Sequence, residues 1–280
     1  MRLQHILEAV YSKPWLITPA GWEAVHRLVQ AKLASFERLE PQAARPTHSY
    51  FGDPIPQMTF EDRIAVIPIK GIIGKGLSNV EKSCGACGTE DVSADLSTAL
   101  SSVNIQAIVL NFDTPGGSVA GIPELASSIA AANQEKRIVA FTEGQMCSAG
   151  YFLAAGCYAI YATRTAEVGC IGTFMPFLDQ SEAYAQAGLR MDIIRADGAT
   201  MKGEGFPGTS LSEEFRTHLL AQINEINGWF TDHVNTYRTV GAASMQGQAF
   251  LGEDAAKRGL VDGIVGGLDE VLAKLRAGMR

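Results

Sequence analysis

The sequence predicts an α/β fold with a largely parallel sheet, and three observations lead there. Runs rich in β-branched and apolar residues, 64–73, 107–112 and 138–142, alternate with stretches of helical periodicity, as in strands joined by crossover helices. Turns marked by glycine and proline stand between them, above all Asp113-Thr-Pro-Gly-Gly-Ser-Val119. A hydrophobic content of 46% against 19% charged residues gives this 280-residue chain enough apolar material for a sizeable core.

Residues 1–58 read as an N-terminal helical arm with a proline-rich linker, and 59–280 as the main domain. In the arm, Trp22, Val25, Val29, Leu33 and Phe36 recur at helical spacing from a start near Thr18-Pro-Ala-Gly21. The helix is expected to end before Pro41, and Pro41, Pro46, Pro54 and Pro56 mark irregular chain. Its apolar stripe must be buried, either on its own domain or on a neighbouring subunit.

In the main domain, Pro68 inside the 64–73 run points to an edge strand, because proline has no N–H to give a ladder. Residues 74–90 carry Gly74, Gly76, Gly85 and Gly88 with few large apolar side chains and read as a loop. A helix over 91–100 and a buried strand over 107–112 follow. The next helix runs to about Asn133, with Pro123 in its first turn or at a bend. Strand 138–142 is expected to reach Ser148 through a turn at Glu143-Gly-Gln145.

Strand 158–163, a glycine-punctuated strand 168–175, helix 179–187 and strand 191–195 then lead to a polar, glycine-rich loop, 197–210. Ser212 opens a long helix to about Arg238, striped by Leu219, Ile223, Ile226, Phe230 and Val234. A short helix near 253–258, a strand over 260–265 and a helix over 268–276 close the chain.

A net charge of −7 argues against nucleic acid or an anionic membrane as the main partner. The N-terminus lacks the apolar core and cleavage site of a secretory signal, and no uncharged apolar run reaches the ~18 residues that span a bilayer. A cytoplasmic, non-secreted protein is therefore expected. Five irregularly spaced cysteines imply no disulfide framework. Cys84-x-x-Cys87 is half a zinc site with no second pair nearby, so no metal is expected.

The chemistry centres on Met146-Cys-Ser-Ala-Gly-Tyr151. Strand, turn, serine and helix in that order present a hydroxyl beside the positive end of a helix. A serine hydroxyl is weakly nucleophilic until a base activates it. The histidines, His5, His26, His48, His218 and His233, fall in no predicted active-site loop, which argues against a Ser-His-Asp triad. Cys147 as an alternative nucleophile has no histidine within tens of residues and reads as a small buried side chain.

Lys202 taken alone is an ordinary surface charge. It becomes a base only if burial draws its pKa down. Asp113-Thr-Pro-Gly-Gly117 supplies a third element, since paired glycines let bare N–H groups face a carbonyl oxygen. By itself that pair also reads as a tight strand-to-helix turn.

Taken together, four stretches resemble the serine–lysine peptidase family of signal peptide peptidase A, in the Clp protease/crotonase superfamily. They are Leu110-Asn-Phe-Asp-Thr-Pro-Gly-Gly117, Cys147-Ser-Ala-Gly-Tyr151, Asp197-Gly-Ala-Thr-Met-Lys202 with the helix ending Tyr237-Arg238, and Gln248–Ala255 through Gly259-Leu-Val-Asp262. The arm's Ile6–Ile17 is similar to phage and prophage head-maturation members.

The resemblance implies repeated ββα units, Ser148 as nucleophile, Lys202 as general base and an oxyanion hole from Gly116, Gly117 and Ala149, with no cofactor. Ile69, Gly71, Ile72, Gly172 and Thr173 become candidates to flank an extended substrate. It also implies a homo-oligomeric ring, in which some members use a neighbour's lysine, and capsid scaffold or head proteins, including the protease itself, as substrates. The scaffold would then be a separate chain, and the protein would work in the host cytoplasm or procapsid.

Two positions depart from the family pattern, Cys147 before the serine and Cys170 where serine is commoner, and neither removes a required group. Other readings are a bacterial signal-peptide-peptidase-like hydrolase, a non-catalytic ring-forming assembly factor, and a crotonase-type acyl-CoA enzyme. The last usually relies on carboxylates near the oxyanion turn and needs no Ser–Lys pair.

Overall fold

The structure, a computed structural model, describes residues 13–34 and 57–279. The start of the arm, Phe36, the helix end before Pro41 and the proline-marked linker lie outside the described residues.

Strand β1 (Trp15–Ile17) runs directly into helix α1 (Pro19–Ala34), where the Thr18 hydroxyl accepts the Gly21 N–H at 3.0 Å and caps the first turn. The main domain opens with β2 (Thr59–Glu61) and β3 (Ile64–Lys70), followed by β4 (Ile73–Gly74), α2 (Asn79–Ser83), β5 (Cys87–Gly88) and α3 (Thr89–Ser101). The span expected to be a loop therefore holds two short strands and a helix. Ser78 caps that helix in a reciprocal pair with Glu81, its hydroxyl accepting the Glu81 N–H while the Glu81 carboxylate accepts the Ser78 N–H.

Next come β6 (Ala107–Thr114), β7 (Gly116–Ser118) and α4 (Ile122–Glu135), whose Pro123 sits in the first turn, where its missing N–H costs nothing. β8 (Arg137–Cys147) leads into α5 (Ala149–Ala155), β9 (Ala159–Ala162), β10 (Glu167–Gly169) and α6 (Ser181–Gln186). The long α7 (Glu213–Tyr237) is capped by Ser212, and β11 (Ala249–Leu251), α8 (Gly252–Lys257), β12 (Gly263–Ile264) and α9 (Leu268–Gly278) complete the fold.

The main sheet has the order β11-β10-β8-β6-β3-β2, with β3, β6, β8 and β10 parallel. β8 is long enough to serve two neighbours in succession, pairing with β9 through 139–142 and with β10 through 145–147. A second, small sheet has the order β1-β7-β4-β5. Twice, a long strand of the main sheet gives way to a short strand of the second sheet and then a helix: β3, β4 and α3, with α2 and β5 inserted before the helix, and β6, β7, α4. These are the expected ββα units in a mixed α/β fold.

Apolar residues of α3, α4 and α5 (Val92, Leu96, Leu125, Ile129, Phe152, Leu153) cover one face of the sheet, and Val271, Leu272 and Leu275 of α9 cover the other. Four readings need correction. β3 is an inner strand between β2 and β6. Because β2 pairs only with 64–66, Pro68 lies beyond it and leaves no bond unmade on that side.

The turn expected at 143–145 is a bulge within continuous β8, where the register slips between Phe112/Thr142 and Thr114/Met146. The strand expected over 191–195 does not form. No strand of the described residues pairs with it, and Ile194 is 94% exposed. The 168–175 strand is likewise shorter, ending at Gly169, with one further bridge from Phe174 to Trp15.

Candidate active site

Ser148 stands at the corner between β8 and α5. Its N–H donates to the Gly169 carbonyl of β10 at 2.7 Å, and its own carbonyl accepts the Phe152 N–H at 2.9 Å, opening the helix. Between these restraints the residue takes φ 52° and ψ −114°, a sparsely populated conformation that costs an L residue ~1–3 kcal/mol. α5 cannot yield, because every residue in it is buried. Gly150 lies so close to Thr114 that a Cβ would come within 2.5 Å of Cγ2. The corner is thus pinned from the sheet and from the core, which is how a strained serine survives.

The Pro-Gly-Gly turn joins β6 to β7 directly against this corner. Gly116 has φ +113°, and a Cβ there would stand 2.9 Å from Ser148 Cβ and 2.8 Å from Ile17 Cα. Only glycine fits. At Gly117 a Cβ would collide with the Ile73 carbonyl oxygen.

The buried Thr114 hydroxyl shapes the turn, accepting the Gly116 N–H at 3.1 Å and donating to the Gly71 carbonyl at 2.5 Å. Gly116 N–H is therefore engaged within the turn. Gly117 N–H, which lies opposite Leu16 of β1, and the first N–H of α5, on Ala149, are the backbone groups that can face a developing oxyanion once the first is freed from β1. Ser148 itself is fully buried, and its Oγ has no hydrogen-bond partner.

Lys202 is exposed, and the orphaned Ser148 Oγ means no lysine–serine bond forms within the chain. Its loop is nonetheless braced. Lys202 N–H donates to Ala199 O at 3.0 Å, and Arg195 Nε donates to Lys202 O at 2.6 Å. Arg195 also pairs with Glu204 at 3.1 Å, and Glu204 accepts the Ser212 N–H at 3.0 Å, tying the loop to the start of α7.

His233 of α7 stacks on Phe152 of α5 at 4.8 Å between ring centroids. Burial lowers its pKa, against a hydrogen bond with the Phe152 backbone that raises it, and its Nε2 has no partner. It packs on α5, the helix that follows Ser148, without bonding Ser148. Cys147 is buried, its thiol donates to Glu167 O at 3.6 Å, and burial pushes its pKa well up, which leaves no thiolate to attack. Burial also raises Cys170, to about 11. Among the described residues no group of three or more His, Cys, Asp or Glu side chains could hold a metal ion.

The residues expected to flank a substrate fall in different places. Ile69 is buried within β3, opposite Phe112 of β6. Gly71 and Ile72 follow that strand, with Ile72 packed against the cluster of Trp15, Ile17, Val25 and Val29. Gly172 and Thr173 lead to Phe174, whose backbone bonds Trp15. Two parts of the site escaped sequence reading. Thr114 appeared only as a small residue before Pro-Gly-Gly, and Pro14-Trp-Leu-Ile17 appeared only as part of the arm.

A serine on a strained strand-to-helix corner, set against a glycine-pair turn with backbone N–H groups, is the equipment of a serine hydrolase. The sequence profile of peptidase family S49 matches residues 130–280, more than half of the chain, and the chain belongs to that family. It is 26% identical over 284 residues to the head-tail preconnector protein GP5 of Enterobacteria phage P21, covering 96% of this chain and 56% of that protein.

With the capsid assembly protease C of Escherichia phage lambda it shares 27% identity over 274 residues, covering 95% of this chain and 62% of the relative. The chain thus spans a little over half the length of these relatives. Among solved structures, a mutant of the 1510-N membrane-bound stomatin-specific protease in complex with a substrate peptide matches with a TM-score of 0.40 and 15% identity, over 75% of this chain and 78% of that one.

Proposed function

We propose that the chain is a serine endopeptidase in which Ser148 is the nucleophile and Lys202 the general base, acting on phage scaffold and head proteins during capsid maturation. The observation that carries this reading is the contact between the strained Ser148 corner and the Gly116 turn. Ser148 Oγ attacks the scissile carbonyl while Lys202 Nζ takes its proton. Gly117 and Ala149 N–H groups hold the oxyanion. Lys202 then protonates the leaving amine, and water, deprotonated by the same lysine, frees the acyl group.

A lysine performs this only when neutral, which requires a desolvated setting. In one chain Lys202 faces solvent. A second chain closing over the site would deliver the lysine and desolvate it in one step, so the active form is an oligomer. The phage relatives, a head-tail preconnector protein and a capsid assembly protease, support the capsid role, and no helix among the described residues is long and apolar enough to cross a membrane. Host cytoplasm or procapsid interior is the setting that fits.

The test is co-expression with the neighbouring capsid and scaffold proteins, alongside Ser148→Ala and Lys202→Ala. Cleavage by the unaltered chain and none by either variant is expected. Undiminished cleavage by both variants would remove the dyad.

A further inference from the structure

The edge of β7 beside Ser148 is covered by the chain itself, and we infer that residues 13–18 are a built-in, substrate-like strand that keeps the site closed until it is displaced. This rests on the peptidase reading above. β1 lies antiparallel to β7, with Trp15, Leu16 and Ile17 opposite Ser118, Gly117 and Gly116. Thr18 N–H donates to Pro115 O at 2.8 Å and Val119 N–H to Pro14 O at 3.4 Å. Hydrogen-bonded pairs alternate along an antiparallel ladder, so the intervening bonded pair is Leu16 with Gly117. The Leu16 carbonyl therefore takes the N–H assigned to the oxyanion.

On its other side, Trp15 N–H donates to Phe174 O at 2.8 Å and Trp15 O accepts the Phe174 N–H at 3.2 Å. Both edges of the segment are hydrogen-bonded, as an extended peptide held by strand addition would be. Leu16 O, Ile17 Cα and Ser148 Cβ all crowd the point where a Gly116 Cβ would stand. The Leu16–Ile17 bond thus lies against the nucleophile, and the Leu16 side chain is fully buried.

Two features keep the occupant in place. Ser148 Oγ has no base bonded to it in this chain. Beyond Leu16 the segment does not lead away but stays anchored. Thr18 is bonded to Pro115, Gly21 lies so close that a Cβ would stand 2.7 Å from Pro115 Cβ, and Val25 and Val29 pack with Trp15 and Ile17. An amine freed at Ile17 would remain beside the acyl group and re-form the bond faster than it could leave. A substrate must therefore compete with the chain's own strand.

The test uses the full chain carrying Trp15→Cys and Ser118→Cys. These face each other as a non-bonded pair, where Cα atoms lie ~4.5 Å apart, within reach of a disulfide. Oxidation should lower cleavage of denatured casein at least about tenfold, because the open fraction vanishes, and reduction should restore it. The single-cysteine controls should not respond to redox state. Equal cleavage in oxidised and reduced forms overturns the proposal.

A second arm needs no catalysis. In full-chain Ser148→Ala, a saturating peptide of sequence 13–18 should speed hydrogen exchange at the Trp15 and Leu16 amides. Unchanged exchange overturns the proposal. Absence of cleavage by every protein would count against the peptidase reading alone, leaving exchange to judge the strand.

Discussion

Arg238, at the end of α7, meets Asp262 with 2.6 Å between Nη1 and Oδ2. Its Nε also donates to Ala155 O at 2.9 Å and its Nη2 to Cys157 O, while Asp262 accepts the Ile160 N–H at 2.7 Å. One guanidinium thus satisfies carbonyls at and just past the C-terminal end of α5 and ties that helix to α7, β9 and β12. The arginine side chain is 8% exposed and the aspartate 45%. Removing the buried partner strands several acceptors at once, and the half-exposed carboxylate moderates the cost. Arg238→Ala is expected to lose about 2–3 kcal/mol, measured by denaturant unfolding. Arg238→Lys should recover little, since an ammonium cannot make the planar fork.

The strain at Ser148 makes a separate prediction. Glycine accepts this conformation without the ~1–3 kcal/mol cost paid by an L residue, and it removes a buried hydroxyl that bonds nothing. Against this stands ~0.5–1 kcal/mol of added chain entropy in the unfolded state. Ser148→Gly should therefore abolish proteolysis while raising stability by about 1 kcal/mol, a trade expected of a strained functional site. Ser148→Ala keeps the strain and should gain less. Paired unfolding curves of the two variants check the order.

His233 gives a pH dependence with a definite sign. Burial holds its pKa below the ordinary value, so the folded state prefers the neutral ring. Above the unfolded pKa of ~6.5 both states are neutral and the residue adds no slope. As pH falls through that value the unfolded chain takes up a proton that the fold resists, so stability declines until the lower folded pKa is passed. Unfolding midpoints at pH 7.5 and 5.5 should differ more in the unaltered chain than in His233→Gln. An equal decline in both would remove His233 as the cause.

Much of this was legible in the sequence because it is local. The strand leading to Ser148, the helix after it and the Pro-Gly-Gly turn follow from residue types within a few positions, and all formed. The turn expected at 143–145 gave way to a strand that runs on to Cys147. What failed depended on neighbours. Pro68 marks an edge only on the side that β2 leaves unpaired beyond Val66. Residues 191–195 have strand-forming side chains but no partner strand among the described residues, and a strand without a ladder does not persist.

The stripe on α7 read correctly at Phe230 and Val234, which are buried, while Leu219, Ile223 and Ile226 are only half-covered. Periodicity reports that a face is apolar, not what covers it. The Thr114 hydroxyl and the docking of Trp15–Ile17 on β7 depend on contacts tens of residues apart, which no spacing rule encodes.

The exposed Lys202 leads to the sharpest test of how the site is completed. If each Ser148 takes its base from a second chain, Ser148→Ala and Lys202→Ala chains should complement each other. A site is then whole when a Lys202→Ala chain supplies Ser148 and a Ser148→Ala neighbour supplies Lys202. Random co-assembly of equal amounts makes about a quarter of sites whole in a closed ring with head-to-tail contacts. Each variant alone should be inactive, and mixing after dissociation and reassembly should restore activity to about that fraction. A loop closing within one chain predicts no recovery, because no single chain then carries both groups. Cleavage of denatured casein by the mixture, set beside the two variants alone, separates these cases.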